Sequence, residues 1–196
     1  RAMGEITVMV KNSIAKYFKR VCFDFSFGVV LIIDKQLFSF DRDILYVSLY
    51  ILPESSTYYS KITNSAFQEL KELMINNNYL NTELLLCWDF NSRTASLPDY
   101  ITCSDNIPEL EELNCITNND IGIERVSCDT KTNKFGHELL NFCKFFSCFI
   151  VNGRFDCKNE NGGFTFINQN GCSVIDYYIV SKTIFDIISI FEIKSR

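Results

Sequence analysis

An apolar stretch runs straight into an acid and a carboxamide in Leu84-Leu85-Leu86-Cys87-Trp88-Asp89-Phe90-Asn91. Residues two apart on a strand point the same way, so Asp89 and Asn91 are expected to project together from its end. A carboxylate beside a carboxamide can orient a water molecule and hold a phosphate oxygen at once. Tyr50 lies near the end of a second apolar run, Tyr46 to Leu52, shortly before Pro53, which places a phenol at a sheet rim. Asp176 interrupts a third run, Val174-Ile175-Asp176-Tyr177-Tyr178-Ile179-Val180. A carboxylate in a buried strand must be paired or hydrogen-bonded, and in a catalytic setting its partner is a histidine that it orients. Thr165 is expected on the neighbouring strand. Each element taken alone also has a structural reading. Asp and Asn are common in the turn after a buried strand, a core tyrosine satisfies its own hydroxyl, and a strand Asp can bond to backbone.

The elements that must position these groups are legible from periodicity. Residues 25–33, 43–52 and 83–88 are dense apolar runs rich in β-branched and large residues, read as buried strands. Residues 5–10, 149–152, 163–167 and 173–180 are further strands, and 185–193 is a last strand-like run. Phe67, Leu70, Leu73 and Met74 fall at helical spacing, predicting an amphipathic helix over 59–75. Phe135, Leu139, Phe142, Cys143 and Phe146 predict another over 135–146. Residues 89–134 read mostly as loop, with an acidic cluster at Glu109, Glu111 and Glu112 that reads as a solvated face. Strands outnumber helices in mixed order, which favours an α/β (α+β) fold, a two-sheet β-sandwich flanked by helices.

Composition narrows the function class. The chain has 196 residues, 47% hydrophobic and 22% charged, which is globular rather than disordered. With no linker and no repeat, residues 1–196 read as a single domain. The formal charge of −5 argues against a generic basic nucleic-acid coat, though not against an enzyme that touches phosphate at one cleft. No apolar run is long enough for a transmembrane helix. Nine cysteines at irregular spacing, without a C-x-x-C pair, suggest neither a zinc site nor a disulfide framework. They point to a reducing compartment, nucleus or cytoplasm. The opening Arg1-Ala2-Met3-Gly4 suggests a piece of a longer polypeptide.

In chain order these motifs resemble the endonuclease/exonuclease/phosphatase superfamily, and more narrowly the endonuclease domain of non-LTR (LINE-type) retrotransposon polyproteins. The narrower resemblance rests on Arg125, Ser127, Asp129, Asn133 and Gly136, then Leu139-Leu140-x-Phe142-Cys143, Val151-Asn152-Gly153-Arg154, Gly162-Gly163-Phe164-Thr165-Phe166 and Ile175-Asp176-Tyr177. It implies a Mg²⁺-dependent DNA endonuclease, with DNA as partner and a reverse transcriptase domain downstream. It matches Asp89 to the acid that aligns the attacking water and Asn91 to the residue holding that acid and the phosphate. Tyr50 matches the phenol on the scissile phosphate, and Asp176 the acid that orients a catalytic histidine. Ser127, Asp129 and Asn133 are assigned to loop structure. The metal-ligating Glu and the closing Ser-Asp-His of the family have no counterpart in this sequence, so its metal ligands stay unassigned. His137 alone, at a helix start, reads as a solvent-facing or capping residue. A Gly normally precedes the Asp-Phe-Asn, and here it is Trp88. A partial domain, inactive alone, is therefore expected. The alternative is a non-catalytic relic of the same fold that binds DNA or a partner.

Overall fold

The computed structural model describes residues 6–20, 25–61, 64–101, 124–155, 162–169 and 171–193. Its strands are β1 (Phe18–Arg20), β2 (Gly28–Ile33), β3 (Ile44–Tyr50), β4 (Glu83–Asp89), β5 (Cys148–Ile150), β6 (Phe166–Asn168), β7 (Gly171–Ser173) and β8 (Asp176–Ser181). Its α-helices are α1 (Ala66–Asn76), α2 (Lys134–Phe146) and the single turn α3 (Lys182–Phe185).

The two most apolar runs become central strands. β3 and β4 pair in parallel, and α1 makes the crossover that a parallel pair requires. The sheet extends in the order β1-β2-β3-β4-β8-β5, with every other pairing antiparallel, while β6 and β7 form a separate two-stranded ribbon. The mixed α/β, two-sheet arrangement is thus present as one six-stranded and one two-stranded sheet.

One sheet face carries Val47, Leu49, Leu86, Tyr177 and Ile179, and α1 and α2 close over it. The helices do so because their apolar residues recur at helical spacing: Phe67, Leu70, Leu73 and Met74 on α1, and Phe135, Leu139, Phe142 and Cys143 on α2, are all buried. Burying one such side chain contributes about 1.5–3 kcal/mol. Caps fix where the helices begin. Ser65 Oγ accepts the Gln68 N–H, and Asn133 Oδ1 accepts the Gly136 N–H. The opposite face is closed near β5 by a smaller cluster of Phe149, Val151, Val180 and Phe185.

Several boundaries differ from the sequence reading. The 173–180 run divides between the end of β7 and β8, and the 163–167 run shortens to β6, which pairs with β7 and leaves Thr165 outside any strand. Residues 6–10 form no strand, and the three-residue β1 borders β2 instead. The 59–75 helix divides into a 3₁₀ turn at Thr57–Ser60 and α1, since Ser65 caps afresh and Tyr59 turns its hydroxyl to the Leu52 carbonyl. The 185–193 run is no strand: after α3 it continues irregularly, with Ile188 and Phe191 against the smaller cluster. A short apolar run alone cannot separate a strand from an irregular segment packed on a core. The cluster at Glu109, Glu111 and Glu112 lies outside the described residues.

Candidate active site

The register brings the sequence-selected residues together. Tyr50 is opposite Asp89 on the β3–β4 pair, and Asp89 is opposite Asp176 on the β4–β8 pair. Residues directly opposite share a face of the sheet, so the phenol and both carboxylates stand in one row across three strands, all half-buried.

Asn91 joins them by a route that strand alternation does not describe. β4 ends at Asp89, Phe90 turns fully into the core, and Asn91 takes a left-handed φ of 45°. Its N–H donates to Asp89 Oδ1 at 2.9 Å, closing an Asx turn, and its Nδ2 donates to the Ile51 carbonyl at 2.7 Å. Asparagine is among the few residues that adopt this conformation readily. Asn91 therefore holds Asp89 through its backbone and ties β4 to the end of β3 through its side chain.

A supporting layer fixes the two acid-bearing strand ends. Asn133 donates through Nδ2 to the Asn91 carbonyl (2.9 Å), while its Oδ1 accepts the N–H groups of Arg93 and Gly136 (2.8 Å each). One side chain thus caps α2 and pins the turn after Asp89. Arg93 makes a two-pronged pair with Asp129, Nε to Oδ2 at 2.8 Å and a second nitrogen to Oδ1 at 2.6 Å. Asp129 Oδ2 also accepts the Val174 N–H, two residues before Asp176. Burial works against the Asp129 charge, but Arg93 and these backbone donors outweigh it and hold the carboxyl below its usual range. Asp176 is held by its main chain: its N–H donates to Thr165 Oγ1 at 3.1 Å, and its carbonyl accepts from Asn152 Nδ2 at 3.0 Å. Ser127 Oγ accepts the Asp129 N–H, so Ser127, Asp129 and Asn133 have the loop-building contacts expected of them. The Arg93–Asp129 pair and the Asn152 bridge were not legible beforehand, because their partners lie far apart along the chain.

The Asp89 carboxyl is raised above the usual aspartate range. Burial pushes it up to about 6, the neighbouring Asp176 charge adds to the rise, and the Asn91 N–H opposes it. Trp88, just before it, has a φ of 96°, a conformation suited to glycine. Its register partner Tyr177 is 1% exposed, whereas Trp88 is 60% exposed. The kink turns the indole out to line an open cleft of about 380 Å³ with Asn152, Thr165, Asp176, Tyr178 and Phe191. Tyr50 borders a second hollow, about 310 Å³, lined by Phe27, Gly28, Leu52 and Tyr58.

His137 is exposed and lines neither hollow. Among the described residues no group of three or more His, Cys, Asp or Glu could hold a metal ion by itself. Cys87, Cys128, Cys143, Cys148 and Cys172 are free thiols, and no helix of the described residues is long and apolar enough to cross a membrane.

No protein-family model matches the chain, and no curated protein matches it. Among solved structures it is similar to the endonuclease domain of TRAS1, a telomere-specific non-LTR retrotransposon, at 15% identity and a TM-score of 0.44. The match covers 82% of this chain and 52% of that one, so the chain spans about half the length of that structure.

Proposed function

We propose that the chain carries the phosphodiester-cleaving row of a Mg²⁺-dependent DNA endonuclease, a single domain within a retrotransposon-like polyprotein that acts inside the cell, in nucleus or cytoplasm, alongside a reverse transcriptase. The observation that carries this reading is the row Tyr50–Asp89–Asp176 with Asn91 locked to Asp89. The proposed catalytic residues are Tyr50, Asp89, Asn91 and Asp176.

In this reading Asp89 accepts the proton of a water that attacks phosphorus, for which a carboxyl near 6 is well poised at neutral pH. Asn91 fixes the direction of that carboxylate. The Tyr50 hydroxyl, in the same row, donates to a non-bridging phosphate oxygen. Mg²⁺ takes hard oxygen ligands, keeps several waters, and is commonly held by one or two carboxylates together with the substrate phosphate. Asp176, opposite Asp89 in the ladder, would supply one such carboxylate while Asp89 remains the proton acceptor, and since the described residues offer no group of three ligands, residues 1–196 alone would hold the ion weakly. The ion, when bound, would stabilise the negative charge developing on the phosphate oxygens. The only histidine of these 196 residues is exposed on α2, so Asp176 has none here to orient, and cleavage by residues 1–196 alone is proposed to be slow.

Nicking of supercoiled plasmid in Mg²⁺ tests the reading. The chain embedded in its parent polyprotein should nick, Asp89→Ala should slow it by at least about 100-fold, and residues 1–196 alone should be much slower. Equal nicking by the parent and its Asp89→Ala variant would sink the assignment. Tight DNA binding with no nicking by the parent would leave the non-catalytic reading.

A further inference from the structure

The residue before Asp89 has a conformational cost that packing does not explain. A non-glycine residue in a sparsely populated region at positive φ costs about 1–3 kcal/mol. Trp88 occupies such a region at φ 96° yet leaves 60% of its surface exposed, so little burial offsets the strain. The kink carries the indole away from its buried register partner Tyr177, near the Tyr46 hydroxyl and into the cleft beside Asp176. Tyr178 is there, 48% exposed, and meets the Phe191 ring edge-on at 5.4 Å between centroids. Among the described residues the cleft lining contains no Lys or Arg, and its charged members are Asp176 and Glu192. Such a lining repels a bare phosphate and welcomes a flat, uncharged, polarisable group.

We infer that Trp88, with Tyr178, is a stacking platform for one unpaired nucleobase next to the scissile phosphate, so that the preferred substrate is single-stranded or locally unstacked DNA rather than regular duplex. This rests on the endonuclease reading and deepens it. A base inside a duplex presents only its edges to a protein, whereas stacking needs a free face. Stacking is also sequence-tolerant, because every base has a π-face. Trp88 is a substrate-positioning residue here, and Asp89 keeps the chemistry.

The chain's single tryptophan makes the test direct, since all indole emission comes from Trp88. The purified 196-residue chain is titrated in EDTA with a single-stranded oligodeoxynucleotide, with the duplex of the same sequence, and with a strand carrying an abasic run. The expected result is saturable quenching by the single strand that survives raised salt, with little response to the other two. Trp88→Ala should weaken single-strand binding about 5- to 150-fold by fluorescence anisotropy, and Trp88→Phe should restore much of it. Asp89→Ala should keep the quenching while losing nicking in the parent polyprotein, which separates this inference from the endonuclease reading. Quenching equal for abasic and normal strands, or no quenching by any DNA, overturns it. A change in emission with protein concentration alone, without a response to DNA, also overturns it, assigning the indole to contact between copies of the chain.

Discussion

The carboxyl of Asp89, about 6 in the folded chain against about 4 for a free aspartate, decides how this residue couples to pH. The folded chain binds that proton more tightly than the unfolded chain does. The stabilisation from this group is therefore complete below about pH 4 and lost as pH rises through about 6. Asp89→Asn removes a half-buried charge while keeping an oxygen for the Asn91 N–H. It should raise the melting temperature at pH 7.5 by about 2–4 °C, near 1 kcal/mol once solvent screening is allowed for, and by nothing at pH 4. An equal gain at both values would show that Asp89 titrates normally. Under the proposed function, nicking should fall on the acid side as Asp89 takes up its proton. Trp88 gives a second residue-level contrast. Glycine tolerates φ 96° and alanine does not, so Trp88→Gly should be more stable than Trp88→Ala by about 1 kcal/mol in urea denaturation. The reverse order would mean that the backbone is not strained there.

At the scale of elements, two loop-to-strand junctions hold the row in place. Asn133 both caps α2 and pins the turn after Asp89. Asn133→Ala should cost about 2 kcal/mol, the upper range for a lost cap, since a second anchorage goes with it. Under the proposed function, nicking should fall through kcat more than through KM, as expected of a positioning residue. Close approach matters here too: a Cβ on Gly136 would lie 1.9 Å from the Arg93 carbonyl oxygen, so α2 and the turn can meet only over a glycine. The second junction is Asn152-Gly153-Arg154. Asn152 bridges the Asp176 carbonyl and the Tyr178 N–H. Gly153, at φ 79°, lets the Val126 carbonyl pass where a Cβ would stand 1.9 Å away. Arg154 and Asp99 form a two-pronged ion pair, 2.8 Å at each prong, with both side chains fully buried. Arg154→Ala strands the Asp99 charge and should cost about 3–5 kcal/mol in urea denaturation. Lysine should not rescue it, because it cannot supply two parallel donors. A loss under about 1 kcal/mol would mean that Asp99 is relieved by another partner.

For the whole molecule, the sheet separates reactive from protected thiols. Cys143 and Cys148 are fully buried, Cys87 on β4 is buried between β3 and β8 with its thiol donating to the Tyr46 hydroxyl, and burial pushes the Cys87 and Cys143 thiols up. Cys128 and Cys172 are exposed. Mass-mapped alkylation of the native chain should therefore label Cys128 and Cys172 rapidly, and Cys87, Cys143 and Cys148 only on unfolding. Rapid labelling of Cys143 would mean that α2 opens readily. The same sheet shows where a sequence reading succeeds and where it stops. The apolar runs of β3, β4 and β8 and the helical spacing of α2 were legible because burial of one face forces a local period on the chain. For the same reason the polar residues that break those runs, Tyr50, Asp89 and Asp176, stand out in the sequence as site candidates. Their alignment in one row was decided by strand register, which depends on pairings between distant segments. The Asx turn that aims Asp89, the Arg93–Asp129 and Arg154–Asp99 pairs and the outward turn of Trp88 were likewise tertiary outcomes. Each joins residues whose separation along the chain carries no periodic signal, and only packing the strands and loops together determines which charge meets which.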